Sequence, residues 1–437
     1  MKRRGARAAP GCGCALRALS LVILAPEAHA LQPLEEFVAS AKRSNPDNRE
    51  ALAIVQQREA QRDVATGAYL PSANLQGSYT RNQYSAAFAV PGTGQTVTIQ
   101  PLNGLDAYLT LQVPIVNVAA WEQKGVANAA AAVASAARLN TEVSVESSVT
   151  QVYYQLLGTE AVEFAAKSSL GVAEDNARLV RDRHELGTAS DLDMQRALAD
   201  VARAQQDLAV ADRAVFSARL SLESLARLRP QPAVFQNYVP DDLKEEAPLA
   251  SWLGTSQDDL VSVKPAILAT DVAARTRSAA RAQWLPTLAA QAQEHLTNAG
   301  GFTGHSSVYT LSGTLGWHVD LALAPEVAAQ TAALSAAQAR ADKARIAGAE
   351  AIAQAWYRVR SGIEEVRAAR AGVEAATLAL TSARDRYANG IAMQLEVVQA
   401  QRDLFSAQVS QAQAGYNLKY ARAALRLASR RLSEEQR

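Results

Sequence analysis

Cysteine is nearly missing from this 437-residue chain, and the two it has, Cys12 and Cys14, lie at the very start. A disulfide-built small scaffold and cysteine catalysis are therefore both excluded for the body of the protein. Histidine is also sparse. His29, His184, His295, His305 and His318 are scattered, with no metal-ligand or H-E-x-x-H spacing, so nothing calls for a metal or a cofactor. No glycine-rich phosphate cradle is present either, because Pro91-Gly92-Thr93-Gly94 is not followed by a helix carrying lysine. The adjacent acidic pairs Glu35-Glu36, Glu245-Glu246 and Glu364-Glu365 read as solvated faces of exposed stretches.

Residues 1–30 have the form of a secretory signal peptide. Lys2, Arg3, Arg4 and Arg7 give a basic start, 18–25 an apolar segment, and Ala28-His29-Ala30 a small-residue cleavage site. With Lys2, Arg3, Arg4, Arg7, Arg17 and Glu27 removed, 39 basic residues face 42 acidic ones, a charge of −3. A nearly neutral exported chain without a basic block is a poor partner for nucleic acid. Beyond the leader no apolar run reaches the length of a membrane-spanning helix, so any crossing must use β-strands.

What the sequence has in quantity is heptads. Residues 188–229 contain no glycine and no proline. Met194, Val201, Leu208, Val215 and Leu222 recur every seventh residue, with Ala197, Ala204, Ala211, Ala218 and Leu225 three places behind. These are the two columns of a coiled-coil seam. Adding 203 gives Val397, Leu404, Gln411, Leu418 and Leu425, beside Ala400, Ala407, Ala414, Ala421 and Ala428. The preceding turn recurs as well, RDRHELGTASDLDM at 181–194 and RDRYANGIAMQLEV at 384–397. The chain is an internal duplication.

In chain order, 34–66 reads as one helix ending at Gly67, and Tyr69-Leu70-Pro71 opens strand-like stretches at 72–84 and 106–116 around a loop at about 85–105. From Val118 to about Glu185 the pattern is helical, on the order of 100 Å, with Gly158 and Gly171 as interruptions along it. Gly187 turns the chain into the 188–229 helix. Pro230, Pro232, Pro240 and Pro248 punctuate a connector at 230–260. The second repeat, 261–433, replays this order. Lys264-Pro265 starts a helix, Trp284-Leu285-Pro286 matches the earlier Leu-Pro pair, strands follow at 287–297 and 307–319, and a hairpin of 325–388 and 391–433 turns at Gly390. In the last strand Tyr309, Leu311, Leu315, Trp317 and Val319 alternate with Val308, Thr310, Ser312, Thr314 and His318, a wall with lipid on one side and water on the other.

This order, with YLP and WLP before the strands and RxxxG turns at Arg183–Gly187 and Arg386–Gly390, resembles the TolC-type outer-membrane efflux protein family over essentially the whole mature chain. The resemblance implies a mostly α fold with a small β part. Long antiparallel coiled-coil hairpins would form a periplasmic α-barrel, and each chain of a homotrimer would give four strands to a shared twelve-stranded transmembrane β-barrel. A four-stranded sheet has two bare edges that hydrocarbon does not tolerate, so the sharing also follows from physics. Tyr69, Trp121, Trp284 and Trp317 fall at the strand bases, where an interfacial aromatic girdle belongs.

The resemblance also implies roles. The chain would be a passive outer-membrane duct docked to a periplasmic adaptor and an inner-membrane transporter, with the Arg183–Gly187 and Arg386–Gly390 turns meeting the adaptor. Glu396 would line a constriction whose next acidic position holds Gln399. Tyr387 and Asp193 would latch the hairpin tips, without a basic reinforcement because Ala392 stands in its place. The rival readings are an exported coiled-coil scaffold or adhesin, which leaves the duplicated strand pairs unexplained, and an exported hydrolase, which lacks a catalytic set.

Overall fold

The computed structural model describes residues 31–89, 92, 94, 96–231 and 243–432. The signal peptide, Pro232 and Pro240 lie outside the described residues.

The chain starts with two helices rather than one, α1 (Leu34–Ser44) and α2 (Pro46–Gly67). Asn45 breaks them apart. It adopts an extended conformation, its carboxamide oxygen accepts from Asp47 N at 2.8 Å, and Pro46 fills the first helical position, the arrangement in which proline starts a helix without losing a bond. Strands β1 (Ser72–Arg81), β2 (Ala86–Ala89), β3 (Thr96–Gln100) and β4 (Asn103–Val116) follow. The expected loop at 85–105 therefore contains a small β2–β3 hairpin. Its short strands, set among Gly and Pro, show no alternation long enough to read.

Helix α3 (Val118–Glu185) runs unbroken through Gly158 and Gly171, and α4 (Asp191–Ala226) returns beside it. Gly158 marks a close approach rather than a break: a Cβ there would sit 3.5 Å from the Tyr416 ring. The short α5 (Leu249–Leu253) and α6 (Lys264–Ala282) lead to β5 (Thr287–Thr297) and β6 (Ser307–Gly316), then to α7 (Leu323–Ala388) and α8 (Gln394–Ala428). Strand β6 stops at Gly316, so Trp317, His318 and Val319 lie beyond it rather than in its alternation.

The heptad columns form the hairpin seams. Ala197, Ala204, Ala211, Ala218, Val215 and Leu222 are buried on α4, and Val397, Leu418, Ala421 and Leu425 on α8. Alanine at these places keeps the helices close. Leu418 is fully buried and touches the gap left by Gly362, where a Cβ would meet its Cδ1 at 3.3 Å. Leu418→Ala is expected to cost about 2–5 kcal/mol, read as a lowered thermal midpoint of the helical circular dichroism signal. Midway along α3, Glu146 pairs with Lys42 of α1 at 2.7 Å and with Arg430, just past α8, at 2.9 Å, joining the ends of the two repeats.

Strands β1, β4, β5 and β6 form one antiparallel sheet in that order, so β1 and β6 are bare edges. The register sorts the side chains into two faces. Pairs such as Gln76 with Tyr108, Thr110 with Gln293 and Gln291 with Ser312 make one face of hydroxyls and amides. Leu75 with Leu109, Leu111 with Ala292 and Ala292 with Leu311 make the other apolar. Nothing among the described residues covers that apolar face: Leu75 is 75% exposed and Leu311 72%.

Candidate functional site

Two places concentrate unusual features: the free end of the helical hairpins and the uncovered sheet.

The hairpin end is built twice from the same turn. Gly187 and Gly390 have φ of 72° and 73°. The Arg183 carbonyl accepts from Thr188 N at 2.8 Å, and the Arg386 carbonyl from Ile391 N at 2.8 Å. Gly187 N reaches His184 O and Gly390 N reaches Tyr387 O. This is the Schellman closure, which needs a residue that tolerates the left-handed conformation. The glycines of the RxxxG repeats therefore serve the turn itself.

The two arginines diverge in their side chains. From α3, Arg183 crosses to the second hairpin and donates to Tyr387 O at 3.1 Å and Ala388 O at 3.0 Å, carbonyls at the end of α7. A cation there also meets the negative end of the helix dipole. Its guanidinium lies 4.6 Å from the centre of the Tyr387 ring. Arg386 stays in its own hairpin and pairs with Glu396 at 3.2 Å.

These contacts change the expected latch. Within the chain Tyr387 and Asp193 are not bonded to each other. The Asp193 carboxylate accepts from the Ser190 hydroxyl at 2.7 Å and from Ser190 N at 3.4 Å, while Ser190 Oγ accepts from Asp193 N. It is thus committed to the capping box of α4. Tyr387 is buried beneath Arg183. At the tip the hairpins are tied by Arg183, a residue of the turn expected to meet the adaptor. Glu396 accepts from Met393 N at 3.4 Å besides pairing with Arg386, and Gln399 donates to Asp403 one turn on at 3.1 Å.

Behind the turns, the contact between α3 and α8 mixes apolar packing, such as Ala161 with Ala412 and Tyr416, with buried polar side chains. Gln401 donates to Ser169 O at 3.3 Å. One heptad nearer the tip on each helix come Asn176 and Gln394, and one heptad further along α3 is Arg183. Gln394 is 1% exposed and neither of its amide atoms meets a partner; the Asn176 amide nitrogen is likewise buried and unpaired. Beside this seam Asp200 of α4 accepts from Arg402 of α8 at 3.2 Å. Burial pushes its carboxyl above the usual range, opposed by Arg402. Glu160 behaves alike within the first hairpin: burial raises it, and Arg219 at 2.8 Å pulls it down.

At the strand bases, the Tyr69 hydroxyl accepts from Lys124 of α3, whose hydrogen bond lowers the Tyr69 pKa. Trp317 donates through Nε1 to Trp284 O at 3.1 Å, and Trp121, Trp284 and Trp317 are all exposed. Leu70 N to Gly67 O and Leu285 N to Ala282 O close the same tight turn before β1 and β5. Among the described residues no helix is long and apolar enough to cross a membrane, and no cluster of His, Cys, Asp and Glu could hold a metal ion.

The model of a family described as outer membrane efflux protein matches residues 38–226 and 261–429, one segment per repeat. No curated protein sequence matches. Among solved structures the chain is similar to CusC, at 16% identity and a TM-score of 0.78, covering 91% of each chain. It is similar to the Campylobacter jejuni CmeC outer membrane channel, at 16% identity and 0.77, covering 91% of this chain and 86% of that one. The open state of the Neisseria gonorrhoeae MtrE outer membrane channel matches at 19% identity and 0.75, over 92% and 89%. At these identities the likeness speaks for the fold.

Proposed function

This chain belongs to the outer membrane efflux protein family, and from that premise we propose that it is the passive exit duct of an envelope-spanning efflux or type I secretion machine. Three copies share one β-barrel in the outer membrane, and their hairpins extend it through the periplasm as a helical tunnel. A periplasmic adaptor meets the hairpin ends, and an inner-membrane transporter supplies the energy.

The observation that carries this reading is the sheet. Four strands with two bare edges, one exposed apolar face and one polar face have no stable place in water as a single chain. Closing the edges against further copies, with the apolar face toward lipid and the polar face toward a lumen, pairs the bare edges and covers the exposed leucines. Tyr69, Trp121, Trp284 and Trp317 then sit at the periplasmic interface. Glu396 and Gln399 line the narrow inner end, where the Arg386 pairing makes the acidic ring weaker than three bare carboxylates. At their ends the hairpins are held by the Arg183 clamp rather than by a Tyr387–Asp193 bond.

Protein extracted from outer membranes in detergent and left unheated is expected to migrate at three times the chain mass, with strand signal in circular dichroism that survives until the trimer dissociates. A folded, helical monomer without strand signal would contradict the reading and favour the coiled-coil scaffold.

A further inference from the structure

The polar face of the sheet is nearly free of charge. Alternation places Arg81 and Glu294 on the opposite face, and on the polar face the ionisable side chains are Asp106 and Tyr108 of β4 and His295 of β5. These three are in contact. His295 Nε2 and Asp106 Oδ1 are 2.8 Å apart across the strands. The Tyr108 ring stacks on the imidazole with centroids 4.2 Å apart and planes 8° from parallel, which fixes the edge that meets the carboxylate. The pair is only part-buried, so water and ions reach it. The elements packed around it add no competing charge to this face: β1 presents Gln76 and Ser78, and β6 presents Val308 opposite His295. Arg81 donates to Asn103, and Glu294 accepts from the Ser307 hydroxyl.

We propose that the Asp106–His295 pair sets the charge of the barrel lumen near its outer mouth. With His295 neutral, each chain contributes one uncompensated carboxylate, and symmetry makes a ring of three that favours cations. Protonated His295 cancels the charge of its partner, and the ring becomes neutral. Acid on the outer side thereby switches the mouth from cation-attracting to indifferent. The inference rests on the duct reading, which turns this face toward the lumen.

The test is the reversal potential of purified trimers in planar bilayers under a potassium chloride gradient. Dilute salt, about 0.01 M, lets the ring act across the lumen, since the screening length is then about 30 Å. The barrel side is stepped from about pH 8 to about pH 5.5, the range in which imidazole side chains change charge. The helical side stays at about pH 8, so that only the barrel side meets acid. The expected result is cation preference in the wild type at high pH that is mostly lost on acidification. His295→Gln keeps the preference at both values, which separates it from His305 and His318, and Asp106→Asn lacks it at both. A wild type that does not respond, or a response that persists in His295→Gln, overturns the proposal while leaving the duct intact. Folded trimers that make no pore overturn the duct reading and the selector with it.

Discussion

Arg183→Ala is expected to open the hairpin end and raise single-channel conductance. The side chain it removes makes the two cross-hairpin bonds at 3.1 and 3.0 Å and the contact with the Tyr387 ring at 4.6 Å. Hydrogen bonds from a charged donor contribute about 1.5–3 kcal/mol each when well buried, and an exposed cation–π contact about 0.5–1. The guanidinium is only partly buried, so about 1–2 kcal/mol per chain is a fair sum after discounting for solvent. If three copies open together, that becomes about 3–6 kcal/mol, a shift of roughly a hundredfold or more in the open population. Arg183→Lys retains the charge but not the planar fork, and an intermediate conductance is expected. Tyr387→Phe keeps the ring under the guanidinium and loses only a hydroxyl, so its conductance should match the wild type. A large increase in Tyr387→Phe with little change in Arg183→Ala would restore the Tyr387–Asp193 latch and remove the clamp.

Gln394→Leu is expected to act in the opposite direction. Gln394 is buried within its own chain, so no neighbouring copy can reach it, and both ends of its amide are unpaired. A buried polar group without a partner costs about 1–3 kcal/mol, and leucine fills a similar volume without that penalty. The variant should raise the thermal midpoint of the trimer and reduce spontaneous opening in bilayers. The same logic explains why the contact between hairpins differs from the seams inside them. Alanine and leucine columns make each hairpin a firm unit, while Asn176, Gln394 and Gln401 put buried polar groups into the part of the plane between hairpins nearest the tip. A duct whose inner end must open needs its weak plane there. A lowered midpoint in Gln394→Leu would contradict this reading of the amide.

Much of this was legible in the sequence, for identifiable reasons. The heptad columns, the Leu-Pro pairs and the RxxxG turns are local patterns, and local patterns fixed the long helices and both turns to within a few residues. The break at Asn45 carried a local signal too, an Asn-Pro start of the kind that caps a helix, but the apolar pattern on either side masked it. The capping role of Asp193 was equally readable, since Ser190 and Asp193 have the spacing of a capping box. What no local pattern contains is the different fate of Arg183 and Arg386. Their turns are near copies in sequence, and only the packing of one hairpin on the other sends one guanidinium across and leaves the other at home. The Asp106–His295 pair was hidden for a similar reason, because it depends on the register of two strands that lie far apart in the chain. The β2–β3 hairpin is too short, and too rich in surrounding Gly and Pro, to show a period.

The most direct test of the central claim is the conductance of purified trimers in planar lipid bilayers, with Glu396→Ala and Arg183→Ala alongside. The account predicts stable unit conductance, a larger unit for Arg183→Ala, and only a modest change in ion preference for Glu396→Ala, whose charge Arg386 already offsets. Folded trimers that leave the bilayer non-conducting, with or without the clamp, would contradict it.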